Sequence, residues 1–280
     1  MPTENEFTQY LLQFERFENR NRLLPETREK GRAAAYLGIK ESEYADMLAS
    51  YDAAAKAAAL EILKEKDVAD LLLKMPFEKG DKILAVGDFA TSDRQGWFEI
   101  LSHVLDIGLS DLNLEFVNTA LPDNTTTSVL GSFDVQVVSE APDWVFVMLG
   151  SNDCKRMHYA ADRTLVSLSD SWENLNSLDL ALRERLENPV VWVSPNPVIN
   201  ELIEEFEIYN FSIEEVDLAA CREIMTGKGG FIVDPRGNRL GNPPEAWHLL
   251  ADGLHPSTSG HVETVKQVLN VLVKEEKKAD

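Results

Sequence analysis

An aspartate and a histidine lie three residues apart near the end of the chain, at Asp252 and His255. A carboxylate at this spacing can hold an imidazole in one tautomer and stabilise it when it is protonated. Gly253 permits a short turn between them, and Pro256 precedes an apolar-periodic segment that predicts a closing helix. The pair is therefore predicted to be a general base that requires a nucleophile from elsewhere in the chain.

Short apolar runs alternate with helical stretches from residue 82 onward and predict the framework that positions this pair. The runs lie at residues 83–86, 114–118, 144–149, 190–194 and 231–233, and the helical stretches lie at 97–105, 126–138, 168–186, 199–206 and 213–225. Unbroken apolar strands separated by helices predict a parallel sheet that is covered on both faces. In such sheets, ligands bind beyond the carboxyl ends of the strands.

Polar residues follow each of the first four predicted strands. They form four segments, at residues 87–93, 118–125, 150–153 and 194–197. Because the carboxyl ends of parallel strands meet at one edge of a sheet, these segments and the Asp252–His255 turn are expected to converge on one site. Ser194 and Asn196 either line this site or only end a strand.

The first 77 residues differ from the rest because their pattern is helical. Helices are predicted over residues 28–37, 41–50 and 53–66, with a break at residues 23–25. Residues 1–77 are therefore predicted to form a helical N-terminal domain or cap, and residues 78–280 an α/β domain. A faint likeness to a helix-turn-helix at residues 32–48 is not expected to bind DNA, because the chain is acidic.

The chain of 280 residues carries a net charge of −21, from 48 acidic and 27 basic residues. Such a surface repels phosphate backbones and anionic membranes, so neither nucleic acid nor a membrane is an expected partner. The first ten residues lack the pattern of a signal peptide, and no run approaches the roughly 20 apolar residues that span a bilayer. The two cysteines, Cys154 and Cys221, have no metal-site spacing. A cytoplasmic protein without a metal is expected.

Two of the polar segments and the Asp252–His255 turn resemble sequence blocks of the SGNH, or GDSL-type, hydrolase family. Gly150-Ser151-Asn152-Asp153 is similar to the GxND block, and Asp252-Gly253-Leu254-His255-Pro256 is similar to the DxxH block. Gly87-Asp88-Phe89, followed by Trp97, stands where the family has its GDS block. The likeness covers about residues 80 to 275 and leaves the helical N-terminus outside it.

The resemblance implies a flavodoxin-like three-layer α/β/α domain that hydrolyses acyl or acetyl esters without a metal or organic cofactor. In that arrangement His255 is the general base, Asp252 orients it, and Asn152 donates to the oxyanion. Asp88, Thr91 and Gly150 are expected beside the substrate. The expected ligand is a small-molecule ester or acylated compound, and the sequence specifies no oligomeric state.

Two positions depart from the family pattern at the reacting centre. The nucleophilic serine is replaced by Phe89, whose ring has no nucleophilic atom and would fill the space of the substrate carbonyl. The family's second block, which follows the second strand, has a glycine that donates to the oxyanion, and this position falls at Asp123. A carboxylate about 4 Å from a developing oxyanion opposes it by roughly 4 kcal/mol at an effective dielectric of about 20. The chain is therefore predicted to be a hydrolase-fold protein with degraded catalysis.

Two alternatives stand beside that prediction. Ser92, with Thr91 next to it, lies three residues beyond Phe89 and is either a relocated nucleophile of an active esterase or a residue that only hydrogen-bonds within its turn. In the second alternative, the protein is a non-enzymatic interaction protein that acts through its helical N-terminus.

Overall fold

The structure is a computed structural model that describes residues 4–20, 22, 29–234 and 239–274. The predicted break at residues 23–25 lies outside the described residues. The helices are α1 (Glu4–Phe14), α2 (Phe17–Arg20), α3 (Lys30–Leu37), α4 (Glu41–Leu63), α5 (Val68–Leu72), α6 (Phe89–Ser92), α7 (Trp97–Gly108), α8 (Thr126–Gly131), α9 (Phe133–Gln136), α10 (Leu168–Arg183), α11 (Asn200–Glu205), α12 (Glu215–Thr226) and α13 (Thr258–Lys274). The strands are β1 (Lys82–Gly87), β2 (Glu115–Asn118), β3 (Trp144–Met148), β4 (Lys155–Met157), β5 (Val191–Val193), β6 (Phe211–Ile213) and β7 (Phe231–Val233).

Within the described residues, the main sheet has five parallel strands in the order β2-β1-β3-β5-β7. Counting only these strands along the chain, the order is 2-1-3-4-5, which is the flavodoxin-like order. Gly87 at the end of β1 is in register with Met148 at the end of β3. The predicted fold class is confirmed, and the order of the strands reverses between β1 and β3, where ligands bind in sheets of this kind.

Alternate side chains of the central strands enter two separate hydrophobic clusters, so the sheet is covered on both faces. Ile83 and Ala85 of β1 pack into a cluster with α4, α7 and α13. Leu84 and Val86 pack on the opposite side with α8, α9 and α10. Burial on both sides is the reason that these strands appear in the sequence as continuous apolar runs.

Several helix ends follow from local chemistry. Gly38, at φ 71°, ends α3, and its N–H group bonds to the carbonyls of Ala34 and Ala35. Thr125 begins α8 in a capping box with Ser128. The helices predicted over 28–37 and 97–105 are thus found close to their predicted positions.

Other predicted bounds differ from the structure. The helix predicted from residue 213 begins at Glu215, because residues 211–213 form β6 and pair antiparallel with β4. The helix predicted over 126–138 is divided at Ser132 into α8 and α9, and the helices predicted over 41–50 and 53–66 are one continuous α4. The β4–β6 pairing joins segments far apart in sequence, so it has no short-range signal.

The N-terminal helices contact the α/β layers through small and aromatic side chains. Ala55, Ala58 and Ala59 of α4 are buried in the same cluster as α7. Leu12 of α1 packs with residues of α3 and α4 in a separate small cluster. None of the helices in the described ranges is both long and apolar enough to cross a membrane.

Candidate active site

The turn before α13 holds Asp252 and His255 in contact. Asp252 Oδ2 accepts a hydrogen bond from His255 Nδ1 at 2.7 Å, and Oδ1 accepts from the N–H groups of Leu254 (2.9 Å) and His255 (3.0 Å). Gly253 has a φ of 68°, and a Cβ there would lie 2.6 Å from the Ile199 carbonyl, so the turn requires glycine. Burial raises the pKa of Asp252, but the hydrogen bonds from His255 and Leu254 outweigh it and lower the pKa to about 2. Because Nδ1 donates to the carboxylate, the lone pair of the neutral imidazole lies on Nε2.

Three aromatic rings surround this imidazole. The ring centroid of Phe14 lies 4.1 Å from that of His255, the Phe89 centroid lies 4.8 Å away, and the Tyr10 centroid lies 5.8 Å away. Phe14 and Tyr10 belong to α1, while Phe89 is the first residue of α6. Within the described residues, Nε2 has no hydrogen-bond partner, and only 8% of the His255 side chain is exposed. Aromatic side chains therefore occupy the surroundings of the predicted base.

Two tyrosine hydroxyls extend the hydrogen bonds of the pair. Tyr209 donates to Asp252 Oδ2 at 2.9 Å, and its oxygen lies 2.8 Å from the Tyr10 hydroxyl. The Tyr10 hydroxyl lies 3.3 Å from His255 Nδ1. Burial is the main reason that the pKa of each tyrosine is raised, so both hydroxyls stay protonated at neutral pH. The network connects α1 directly to the Asp252–His255 turn.

The first block forms the turn from β1 into α6. The Asp88 side chain caps α6, because Oδ1 accepts from the Ala90 N–H at 3.2 Å. Burial raises the pKa of Asp88 to about 7. The Ser92 hydroxyl donates to the Phe89 carbonyl at 3.3 Å, and the Thr91 hydroxyl accepts from Trp97 Nε1 at 3.2 Å. Both hydroxyls are fully buried, so Thr91 and Ser92 serve local packing in this structure and do not reach the pocket described below.

Asn152, the predicted oxyanion donor, directs its amide toward the second block. Its Nδ2 atom donates to the carbonyl of Pro122 at 2.9 Å and to that of Asn124 at 2.8 Å. An amide nitrogen has two hydrogens, so both are engaged with the main chain. Asp123 lies between these carbonyls, but its carboxylate is largely exposed and pairs with Arg20 at 2.8 Å. This pairing offsets the repulsion that the sequence predicts for Asp123.

The remaining predicted residues lie behind the pocket. Ser194 directly follows β5, and its hydroxyl donates to the Val233 carbonyl at 3.1 Å. Asn196, two residues later, is also buried. Gly150 has a φ of 114°, and a Cβ there would lie 2.3 Å from Cys221 Sγ. This glycine is therefore required by packing against α12. Of the residues predicted to bind substrate, Phe89 and Asp123 line the pocket, whereas Asp88, Thr91, Gly150, Ser194 and Asn196 do not.

The pocket in front of His255 has a volume of about 230 Å³. Several lining residues were not predicted as site residues, and they come from α1 and the residue after it, from β4, and from β6 and the segment before it: Tyr10, Leu11, Phe14, Glu15, Lys155, Tyr209 and Phe211. Tyr10 and Phe14 are four residues apart and so share a helix face. This spacing was the signal in the sequence that α1 presents an aromatic face. Lys155 lies two residues beyond the Gly150–Asp153 block, which follows β3 at the edge of the sheet where the site lies. In the described parts of the chain, no group of three or more potential metal ligands is found.

Residues 80–262 match the model of the GDSL-like Lipase/Acylhydrolase family. The chain belongs to this family. The match contains the Asp88, Asn152 and His255 blocks and begins after the N-terminal helices. No curated protein is significantly similar to the chain.

Solved structures of an α/β hydrolase and of an acetylxylan esterase share the fold of the GDSL-like domain. The α/β hydrolase LAE5, from the metagenome of Lake Arreo, is 19% identical with a TM-score of 0.56, over 71% of this chain and 97% of that one. The acetylxylan esterase Axe2 from Geobacillus stearothermophilus is 19% identical with a TM-score of 0.56, over 74% of this chain and 100% of that one. At this identity the likeness shows the fold alone.

Proposed function

We propose that this chain is a non-hydrolytic member of the GDSL-like family, which keeps the Asp252–His255 pair but binds a small acyl-type ligand without cleaving it. The packing of Phe89 against His255 carries this proposal. Phe89 is the first residue of α6, directly after β1, and its ring centroid lies 4.8 Å from that of the imidazole. The family resemblance puts the nucleophilic serine at this position. A phenyl ring has no atom that can attack an ester carbonyl.

The surroundings of the base support the same proposal. Acyl transfer requires Nε2 of His255 to take a proton from a nucleophile or from water. The rings of Phe14 and Phe89 pack against this imidazole, with centroids 4.1 Å and 4.8 Å from its own, and neither ring offers a group that Nε2 could deprotonate. Both phenylalanines are buried, so the packing does not depend on exposed side chains that move freely.

The engagement of Asn152 is a second argument against ester hydrolysis. Removing one oxyanion donor slows turnover about 10²–10³-fold in a well-studied protease. Both amide hydrogens of Asn152 already bond to main-chain carbonyls, so the side chain has none left for an oxyanion. The loop after β2 uses Asn152 as a structural brace.

The alternative nucleophile, Ser92, has little support. Its side chain is fully buried, and its hydroxyl donates to the Phe89 carbonyl within α6. Among the described residues, no hydrogen bond joins Ser92 to His255. These contacts favour a structural serine at the end of a short helix.

The retained Asp252–His255 pair has a structural role that accounts for its presence without catalysis. Catalytic mutants of Axe2 replace an aspartate and a histidine that are also three residues apart. In this chain, Asp252 accepts from two main-chain N–H groups, from Nδ1 and from the Tyr209 hydroxyl. It therefore fixes the turn before α13 and anchors α1 through Tyr10.

A fluorophosphonate probe tests the proposal because it forms a covalent adduct with an activated serine. We expect intact-mass measurement to detect no adduct on the folded wild-type protein, with Axe2 as the positive control for labelling. An adduct that maps to Ser92, or to another serine, and that disappears in His255→Ala would show a working hydrolase and overturn the proposal.

A further inference from the structure

Lys155 places a cation among the aromatic walls of the pocket. It is the first residue of β4 and is half-buried. Its Nζ atom lies 4.4 Å from the ring centroid of Phe211 and 5.7 Å from that of Phe89, and both rings line the pocket. The ammonium group therefore sits at the inner wall rather than extending into solvent.

This ammonium lacks a close anionic partner. Within the described residues, Nζ of Lys155 makes no hydrogen bond to an acceptor and no salt bridge within 4.0 Å. Asp88 is the buried carboxyl near it, and burial raises the pKa of Asp88 to about 7, so this group carries only part of a charge at neutral pH. Asp123 acts on Lys155 from a distance but, like Glu15, forms its salt bridge with Arg20. The Phe211 and Phe89 rings offset part of the cost of removing the ammonium group from water, and an anionic ligand would offset more of it.

The size and walls of the pocket limit what that anion is. Its volume of about 230 Å³ corresponds to roughly eight water molecules at about 30 Å³ each, which is below the usual range for drug-sized ligands. The lining is mostly aromatic and aliphatic, with Lys155 and His255 as its basic groups and with Glu15 and Asp123, both paired with Arg20, as its acidic groups. A ligand with one anionic end and a short apolar body fits both features.

We propose that the pocket is a binding site for a small monocarboxylate, with the carboxylate held by Lys155 Nζ and the apolar body packed between Phe14, Phe89 and Phe211. This inference rests on the proposed function, because it names the chemical class of the ligand that the same pocket binds without cleaving. The bound species is a free acid and not an ester, since an ester offers no charge to the ammonium group. An aromatic or medium-chain acid such as benzoate or hexanoate has the required size.

The pH dependence of binding follows from the groups that face the ligand. In the pocket they are Lys155 from β4, Asp123 from the second block, Glu15 and Tyr10 from the α1 region, Tyr209, and His255 with its partner Asp252. The buried Asp88 lies outside the lining but acts electrostatically on Lys155. Burial lowers the pKa of Lys155 to about 8, so the cation is lost as the pH rises through 8. Asp88 gains its negative charge as the pH rises through about 7, which also disfavours an anion. The two tyrosines stay neutral. Carboxylate affinity is therefore expected to fall between pH 6 and pH 9.

Isothermal titration calorimetry of the full chain with benzoate tests the site, with benzamide as the neutral control of the same shape. Ligands of this size bind in the micromolar to millimolar range, so titration to roughly 20 mM is appropriate. We expect benzoate to bind and benzamide to bind at least tenfold more weakly. Equal affinity for the two, or binding of neither benzoate nor hexanoate, would overturn the proposal.

The substitution Lys155→Met removes the charge and keeps an unbranched side chain that is one atom shorter. We expect it to weaken benzoate binding at least tenfold, since charge-assisted hydrogen bonds are the strong ones. The variant is expected to unfold at a higher temperature than wild type in the absence of ligand, because a half-buried cation that makes no salt bridge is replaced by an apolar side chain that can pack on the same rings. This increase excludes unfolding as the cause of lost binding. Lys64→Met, on the exposed end of α4, is the matched control and is expected to bind benzoate as wild type does.

A variant Lys155→Met that is folded and binds benzoate as tightly as wild type would refute the role of the ammonium group. Failure of the proposed function is detected separately, by hydrolysis of p-nitrophenyl acetate in the same samples. If wild type hydrolyses this ester and His255→Ala does not, the protein is a hydrolase, whatever the outcome of the carboxylate titrations.

Discussion

The substitution Phe89→Ser tests whether the position at the head of α6 is the place of the missing nucleophile. It introduces a hydroxyl where the ring now packs against His255, beside a base whose Nδ1 is fixed by Asp252 at 2.7 Å. We expect this variant to react with a fluorophosphonate probe, with the adduct at position 89, whereas wild type does not react. Activation by a general base contributes about 10²–10⁴-fold, so the additional change His255→Ala should slow labelling by that factor.

Ester turnover in Phe89→Ser is expected to stay well below that of an active family esterase. Both amide hydrogens of Asn152 are engaged by main-chain carbonyls, and the loss of one oxyanion donor costs about 10²–10³-fold. Labelling with slow turnover of p-nitrophenyl acetate is therefore the expected combination. Axe2 provides the reference rate.

The substitution also removes a buried ring, which has a cost in stability. Phe89 is 4% exposed, and replacing a buried phenylalanine with alanine costs about 3–5 kcal/mol. The midpoint of thermal unfolding is expected to fall by roughly 6–20 °C, so the assays are done at low temperature with circular dichroism as the check on folding. Phe89→Ala is the matched control, because it creates a similar cavity without a hydroxyl.

Labelling that is equal in Phe89→Ser and in the double variant with His255→Ala would refute the reasoning, because the base would then not act on position 89. A folded Phe89→Ser variant with no adduct at that position would refute it as well.

Three further predictions concern the Asp252–His255 network. His255→Ala is expected to leave any background turnover of p-nitrophenyl acetate by wild type unchanged, and a large loss would contradict the proposed function. The pKa of Asp252 is lowered to about 2 from 3.8 in the unfolded chain, so its contribution of about 2 kcal/mol is present above pH 4 and is lost as the pH falls through 2. In urea unfolding, the stability difference between wild type and Asp252→Asn should narrow by about that amount from pH 4 to pH 2, and a constant difference would count against the network. Tyr10→Phe should lower the unfolding free energy by about 1 kcal/mol through the lost hydroxyl, whereas Tyr36→Phe, at an exposed position, should leave it unchanged in the same measurement.

The parallel sheet and the order in which the polar blocks reach its edge follow from local sequence patterns. Continuous apolar runs and helical periodicity are local patterns, and they predicted the main parallel strands to within about two residues at each end. The Asp252–His255 contact was also predictable, because a three-residue turn containing Gly253 keeps the two side chains close together. The absence of a serine hydroxyl at Phe89 is likewise a fact of the sequence.

The side chains that pack against His255 depend on tertiary contacts that no local pattern predicts. The helix of Tyr10 and Phe14 was predictable, but the surface on which its aromatic face packs depends on contacts more than 200 residues away in the chain. The β4–β6 pairing, which brings Lys155 beside Phe211, is equally non-local. Asn152 illustrates the same limit, since its identity suggested an oxyanion donor, while the positions of two carbonyls in another loop determine where its amide hydrogens go. Local sequence fixes the type of each side chain and the element that holds it, whereas its partners depend on how distant elements pack together.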